Sequence, residues 1–388
     1  MIKNHVMNTY GRADIIFEKG MGTKLYDTEG KEYLDFVSGI AVNCLGHSNP
    51  VIVNAIKAQS EKLMHVSNYY WNEYNIKLSN ILIENSDHDS VFFTNSGAEA
   101  LEGAMKLCRK YGKTQSEDKD VILYLSGSFH GRTMGAISIT GQPAYQKPFM
   151  PIIPNTVMVE FNSVEDLKEK FTSKVCGIIL EPVQGEGGLS ACSMEFLQTA
   201  KDLCEKNNAL LVFDEVQCGI GRLGTLFAYE KFGVVPDVIC IAKALGGGVP
   251  IGAFIANEKT SNVLVPGDHG TTYGGNPFVC AVACAVLDEL INNGVIKGID
   301  AKSDYMKGKL LELKEKYPSK ITEIKGMGLL IGFKLEGSPK EFMAKALEKG
   351  LLVIYANNNV VRLLPPLNVT EEEIDAAIEL LDKVFSEF

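Results

Sequence analysis

Ala209-Leu-Leu-Val-Phe-Asp-Glu-Val-Gln217, and after it Asp237-Val-Ile-Cys-Ile-Ala-Lys-Ala-Leu-Gly-Gly-Gly248, is the stretch on which the fold turns. Each half is a short apolar run closed by a polar residue. Runs of this kind suit strands buried on both faces of a parallel sheet. In open α/β sheets ligands sit just beyond the carboxyl ends of the strands. Asp214 and Lys243 therefore fall at one candidate ligand edge, with opposite charges. A lysine there can form a Schiff base with a carbonyl cofactor, and an acid can keep a pyridine nitrogen protonated. The plainer alternative is a strand-ending Asp that caps a turn and a solvated Lys.

Composition narrows the field. A chain of 388 residues is long for one ordinary domain and is read as two. The expected boundaries give an N-terminal segment 1–50, a large domain 51–277 and a C-terminal part 278–388 that begins with a long connecting helix. The net charge of −10 argues against a nucleic-acid surface. No apolar run reaches the length of a membrane span, and no signal-peptide core is read at the start of the sequence. Nine scattered cysteines, an odd number, fit core thiols in a reducing cytoplasm. Cys280 and Cys284 lie four apart on a helical pattern without a His or carboxylate cluster, so they are read as small core residues and no metal site is expected.

Strands and helices alternate from about residue 90 to 258, which predicts a parallel sheet covered on both sides. Lys24 to Phe36 reads as a hairpin around Gly30. Asn49-Pro50 opens a helix whose inner face carries Ile52, Ala55, Ile56 and Leu63. The strand Ser90–Thr94 feeds Asn95-Ser-Gly-Ala-Glu-Ala100 at the start of a helix, with Gly112 as its stop. Free N–H groups at such a helix start can cradle a phosphate, although plain Ser/Asn capping gives the same pattern. Ser126-Gly-Ser-Phe-His-Gly-Arg-Thr133 follows the next strand. Phe129 could stack on a flat ring, and Arg132 could clamp a carboxylate; a core Phe and a surface Arg are the alternatives. Residues 141–155 read as a surface loop. Glu186 sits in the glycine-rich turn after the strand Cys176–Pro182. Arg362 lies inside an apolar strand, where a charge usually has a partner or a task. Beyond the helix that follows Pro277 the pattern becomes α+β, with a strand at Leu329–Leu335 and a capping box at Thr370 and Glu373.

Taken in order, Asn95–Ala100, Phe129–Thr133, Glu181-Pro-Val-Gln-Gly-Glu186, Asp214-Glu-Val-Gln217, Lys243 and Gly270-Thr-Thr-Tyr-Gly-Gly-Asn-Pro277 resemble the class-III pyridoxal phosphate (PLP)-dependent aminotransferases. The resemblance spans nearly the whole chain. It implies fold-type-I α/β architecture: a large domain with a mostly parallel seven-stranded sheet and a small α+β domain drawn from both chain ends. It implies PLP carried by Lys243, Asp214 on the pyridine nitrogen, Phe129 and Val216 on the two ring faces, and Gln217 on the ring hydroxyl. Gly97 and Ala98 would give backbone N–H groups to the phosphate. Thr272 would add its hydroxyl to that phosphate from the other subunit of a homodimer.

On the substrate side the resemblance implies that Arg132, with Thr271 near it, clamps a carboxylate, and that Arg362 takes the second carboxylate of glutamate. Glu186 would cover Arg362 when that second carboxylate is absent. Thr9-Tyr-Gly-Arg12, Leu25-Tyr-Asp27 and Gly39-Ile-Ala-Val-Asn43 resemble members acting on N²-acetylornithine with 2-oxoglutarate in arginine synthesis. Ile40 lacks the hydroxyl that ornithine-specific members usually carry there. Members acting on 4-aminobutyrate, ornithine or a succinylated diamine remain the alternatives. A nucleotide-binding dehydrogenase is disfavoured, because no Gly-x-Gly-x-x-Gly follows a first strand.

Overall fold

The computed structural model describes residues 5–388. Its centre is a seven-stranded sheet in the order Ser90–Thr94, Gly252–Ala256, Val238–Ile241, Leu210–Asp214, Val175–Leu180, Val121–Leu125, Thr156–Val159. The last five strands pair in parallel. The expected parallel sheet needs one correction: Gly252–Ala256 runs antiparallel to both of its neighbours. The chain after Lys243 turns back at the same sheet edge, which needs no crossover helix. Leu210–Asp214 and Val238–Ile241 are buried along their whole length, as strands covered on both faces must be.

The helix Gly97–Lys113 covers one face through Ala100, Leu101, Ala104, Met105 and Cys108. Small residues let it approach closely: a Cβ on Gly103 would lie 2.3 Å from the Phe254 ring. Gly112 does not stop this helix but sits within its last turn, where a Cβ would lie 2.1 Å from the Lys119 carbonyl oxygen. Its reason is close approach, not chain reversal. On the other face the helix Met194–Asn207 buries Phe196, Leu197, Ala200 and Cys204 and ends at Asn208 in the left-handed conformation. Cys280 and Cys284 are buried in the helix Pro277–Ile291, which Asn276 caps.

A separate four-stranded sheet draws on both ends of the chain. The strands Phe17–Met21, Lys24–Asp27 and Glu32–Asp35 form a meander, and Leu351–Leu352 adds to it in parallel, Leu351 facing Leu34. A second sheet runs Ile321–Met327, Leu330–Leu335, Val360–Leu363, Ile354–Ala356. The sequence pattern does not mark the first of these strands: Ile321–Met327 fully buries only Ile321 and lacks an apolar run. The Thr370–Glu373 capping box is present, and Thr23 also donates to Glu373. In the helix Pro50–Ser60 Ile52 is buried, but Leu63 lies beyond its end and is exposed. Residues 141–155 hold two short helical turns, Pro143–Gln146 and Lys147–Phe149.

One segment joins the layers. Ser38, Gly39, Ile40 and Ala41 have φ of 50°, 63°, 65° and 62°, a left-handed turn. Each non-glycine residue in it costs about 1–2 kcal/mol. Asp35 holds its entrance by accepting from the Val37 and Ser38 N–H groups at 2.9 and 3.0 Å, with His47 Nε2 2.7 Å from its other oxygen. The exit places Val42 at the site described next.

Candidate active site

The carboxyl ends of four parallel strands converge on a cavity of about 480 Å³. Asp214 closes Leu210–Asp214, and Lys243 follows Val238–Ile241 by two residues. Glu181 follows Val175–Leu180, and Phe129, His130 and Arg132 follow Val121–Leu125. The start of the helix Gly97–Lys113 supplies the opposite wall. The sheet thus brings Lys243, Asp214, Gly97, Ala98, Phe129, Val216, Gln217, Arg132 and Glu186 to one cavity.

Lys243 has a φ of +43°, a conformation L-residues rarely hold, at the first position of a 3₁₀ turn. Among the described residues its Nζ makes no hydrogen bond or ion pair. Burial, then the nearby Arg362 cation, lowers its pKa below the usual lysine value. Asp214 is almost fully buried; one oxygen accepts from the Val216 N–H at 3.0 Å and the other lies 2.7 Å from His130 Nδ1. His130 is enclosed, and its Nε2 has no partner. Glu181 accepts from the Phe129 and Gly185 N–H groups, at 2.9 and 3.3 Å, and burial pushes its pKa up.

Of the two expected arginines, Arg132 lines the cavity and Arg362 does not; Arg362 lies behind the wall formed by Glu186 and Gln217. Arg132 is exposed, with its guanidinium over the Tyr145 and Phe129 rings at 3.8 and 5.5 Å, and it has no ion-pair partner among the described residues. Arg362 is fully buried in Val360–Leu363. It donates to Glu186 at 2.7 Å, to Gln217 Oε1 at 3.2 Å and to the Tyr355 carbonyl at 3.3 Å. Glu186 keeps a quarter of its side chain exposed and is flanked by Gly185, Gly187 and Gly188. Its own carbonyl is fixed by the Asn357 N–H at 3.0 Å. The side chain can therefore move while its backbone stays anchored.

Thr271 and Thr272 do not line this cavity. They line a neighbouring groove of about 1260 Å³. Thr271 is linked to the site through the Asn95 amide, which donates to its hydroxyl at 3.2 Å. Two residues lay inside motifs quoted from the sequence without a role there. One is His130, which is aimed at Asp214; the other is Glu181, which fixes the Phe129 backbone. A histidine beside a ring-stacking Phe and opposite a strand-end Asp was the available signal.

The donor set fits PLP. The Gly97 and Ala98 N–H groups have no acceptor among the described residues, at a helix start whose Ser96 side chain caps Glu99. A Cβ on Gly97 would lie 2.8 Å from Val216, and one on Gly131 2.8 Å from Ala98. The cradle is thus tight enough that only backbone can face an anion. An unpaired amine, a buried acid and two apolar walls complete the requirements of a pyridine aldehyde.

Comparison with known proteins agrees. An acetylornithine aminotransferase of Clostridium acetobutylicum is 56% identical over 385 residues, covering 99% of both chains. The solved N-acetylornithine aminotransferase of Stenotrophomonas maltophilia is 34% identical at TM-score 0.86, over 98% of this chain and 97% of that one. An ornithine aminotransferase of Toxoplasma gondii, solved with PLP at partial occupancy, is 32% identical at TM-score 0.92, over 98% and 92%. Residues 6–385 match the family described as aminotransferase class-III. With that match across the chain and the site built at the sheet edge, this protein belongs to the class-III aminotransferases.

Proposed function

We propose that the protein transaminates N²-acetylornithine with 2-oxoglutarate, giving N-acetylglutamate 5-semialdehyde and glutamate, a step of arginine synthesis. The observation that carries the reading is a pair of unequal arginines: Arg132 lining the cavity without an ion partner, and Arg362 buried behind its wall, covered by the lining residue Glu186. Such a site meets a substrate with one carboxylate and, in alternation, a substrate with two.

PLP, when bound, supplies an aldehyde that takes up the amine and a ring that withdraws electrons from the substrate carbon. Lys243 would hold it, with Gly97 and Ala98 at the phosphate, Phe129 and Val216 on the ring faces and Gln217 at the ring hydroxyl. Gln217 Oε1 is engaged by Arg362, which leaves its amide N–H₂ for that contact. Asp214 would keep the pyridine nitrogen protonated, with its carboxylate held by the His130 ring nitrogen Nδ1 at 2.7 Å. Lys243 Nζ, neutral at lower pH than an exposed lysine, would take the proton from the amine-bearing carbon of the substrate and hold it for return. Arg132 holds the α-carboxylate of N²-acetylornithine, with Thr271 nearby, and so directs its far amine to Lys243. For glutamate, Arg132 holds the γ-carboxylate, Glu186 moves aside and Arg362 receives the α-carboxylate. A buried arginine left unpaired is costly, so Glu186 is the natural cover between turns.

The active form in this reading is a homodimer. Tyr69 and Trp71 are 93% and 84% exposed in the groove that holds Thr271 and Thr272, and Tyr273 beside it is 61% exposed. An apolar patch of this kind is typical of an interface, and Thr272 would then serve the partner's phosphate site. No single helix among the described residues is long and apolar enough to cross a membrane, and all nine cysteines are free and buried. The free, buried thiols support a cytoplasmic setting. The division into a large domain 51–277 and a small domain of 1–50 with 278–388 belongs to the same reading.

The test is a set of single-turnover half-reactions of PLP-loaded protein with N²-acetylornithine, ornithine, 4-aminobutyrate and N-succinyl-diaminopimelate. The cofactor's visible band reports conversion. Fastest conversion by N²-acetylornithine is expected. Faster conversion by another amine moves the substrate assignment, and absence of any visible band overturns the cofactor role of Lys243.

A further inference from the structure

Arg222 is the one other arginine fully enclosed by the fold, at 0% exposure, and it has no acidic partner among the described residues. Its Nη1 donates to two backbone carbonyls, Pro365 at 2.7 Å and Leu329 at 3.1 Å, while Nε and Nη2 have no partner. Its own carbonyl accepts from the Leu329 N–H at 3.0 Å. The approach is close: Gly328 has φ +57°, and a Cβ there would lie 2.4 Å from the Arg222 carbonyl oxygen. A Cβ on Gly221 would lie 3.0 Å from Leu367. Burying a cation against carbonyls alone is an expensive way to hold a loop, and an unbranched apolar side chain such as methionine would fill much of the space without the charge. The arrangement asks for a reason in what it holds.

What it holds is the strand that bears Arg362. Gln217 and Arg222 lie five residues apart in one loop of the large domain; Arg362 and Pro365 lie three apart in the small domain. Gln217 accepts from Arg362, and Arg222 donates to Pro365, so the two segments are fastened at both ends. The first fastening ends on a group that, in the function proposed above, must release Glu186 and receive a carboxylate. The second does not touch the cavity. We infer that Arg222 is a positioning residue for the second-carboxylate site: its paired bonds to Pro365 and Leu329 fix Arg362 at the distance from Lys243 that a dicarboxylate substrate requires. The inference rests on the reading of Arg362 as the receptor of that carboxylate.

The test compares a dicarboxylate with a monocarboxylate in PLP-loaded protein. Calorimetric binding of glutarate, which has two carboxylates and no reactive group, is set against 5-acetamidopentanoate, which has one. Half-reaction kcat/KM for glutamate is set against N²-acetylornithine. Arg222→Met is expected to weaken glutarate binding by roughly ten-fold more than 5-acetamidopentanoate binding, and to lower the glutamate to N²-acetylornithine ratio alike, since small misplacements of a binding group have effects of this order or larger. Arg222→Lys retains a donor that reaches one carbonyl, so it should shift both ratios in the same direction by less; it also decides the matter if the Met variant does not fold. Equal losses for both ligand types, or unchanged ratios in the Lys variant alongside a folded Met variant that matches it, overturn the inference and leave Arg222 a stability residue only. Arg362→Leu is the control. If it loses glutarate selectively while the Arg222 variants do not, the inference fails and the receptor reading stands. If it shows no selectivity, the receptor reading fails and the inference falls with it.

Discussion

Removing Glu186 tests the alternation most directly. Its carboxylate lies 2.7 Å from Arg362 Nη2. In an effective dielectric near 20, charges at that separation attract by about 6 kcal/mol. Most of this is offset by the desolvation of Arg362, which is fully buried, and less by that of Glu186, which keeps water at a quarter of its surface. A net worth of about 1–3 kcal/mol remains for the pair, between the values typical of surface and buried ion pairs. Glutamate must displace Glu186 before its α-carboxylate reaches Arg362, so it forgoes this amount on binding; N²-acetylornithine does not. Glu186→Ala should therefore raise the glutamate to N²-acetylornithine ratio of kcat/KM by about 5- to 150-fold. Ligand-free protein should simultaneously lose thermal stability, because Arg362 keeps only Gln217 and the Tyr355 carbonyl. Stopped-flow half-reactions and calorimetry give both numbers. An unchanged ratio would refute the displacement argument, and an unchanged Tm would show that Arg362 finds another partner.

Lys243→Ala should abolish turnover, by about 10³-fold or more, while PLP is still retained through the helix start; absorbance of the dialysed protein distinguishes the two losses. In wild-type apoprotein, the rate of PLP attachment should rise with pH along a titration centred below the ordinary lysine value of 10.5, because burial and Arg362 disfavour the charged amine; a midpoint at or above that value contradicts the assigned environment. His88 is buried, with Nε2 3.1 Å from the Pro236 carbonyl and Nδ1 unpartnered, and burial lowers its pKa to about 4. Its folded value lies below its unfolded one, so stability is retained above about pH 6.5 and lost as pH falls towards 4, by up to about 3 kcal/mol; denaturant titrations of His88→Gln should show a flatter acid limb. Gly112→Ala should cost about 1–3 kcal/mol, since the new Cβ meets the Lys119 carbonyl oxygen at 2.1 Å; denaturant midpoints check it.

The sequence carried the site further than it carried the connections. Asp214, Lys243, Phe129 and Gly97 end or follow apolar strands, and the strand-edge rule places such residues together without any tertiary knowledge. Arg362 was marked by its apolar neighbours, and its buried partnership with Glu186 follows from charge economics in a dry interior. Other features depend on contacts between distant parts. Nothing local in Gly252–Ala256 tells its direction, because a buried apolar run looks alike either way. Gly112 resembles a helix stop until the Lys119 carbonyl is seen beside it. The left-handed turn at Ser38–Ala41 runs against the preference of Ile40 and persists through Asp35 and His47, residues before and after it. The role of His130 is visible only once two strands have placed it on Asp214.

The reversed strand Gly252–Ala256 has an entropic consequence. Had it run parallel, the chain leaving Lys243 would have crossed to the far edge of the sheet, and a loop at the site would be tethered at one end only. As built, the segment from Ile241 to Gly252 leaves and re-enters the sheet at the same edge, Ile241 pairing with Ala253 and Gly252 with Thr94. Lys243 thus rides on a short closed span whose conformational freedom is given up when the sheet forms. The ordering of the reactive amine is completed during folding, and none of it is charged against each turnover.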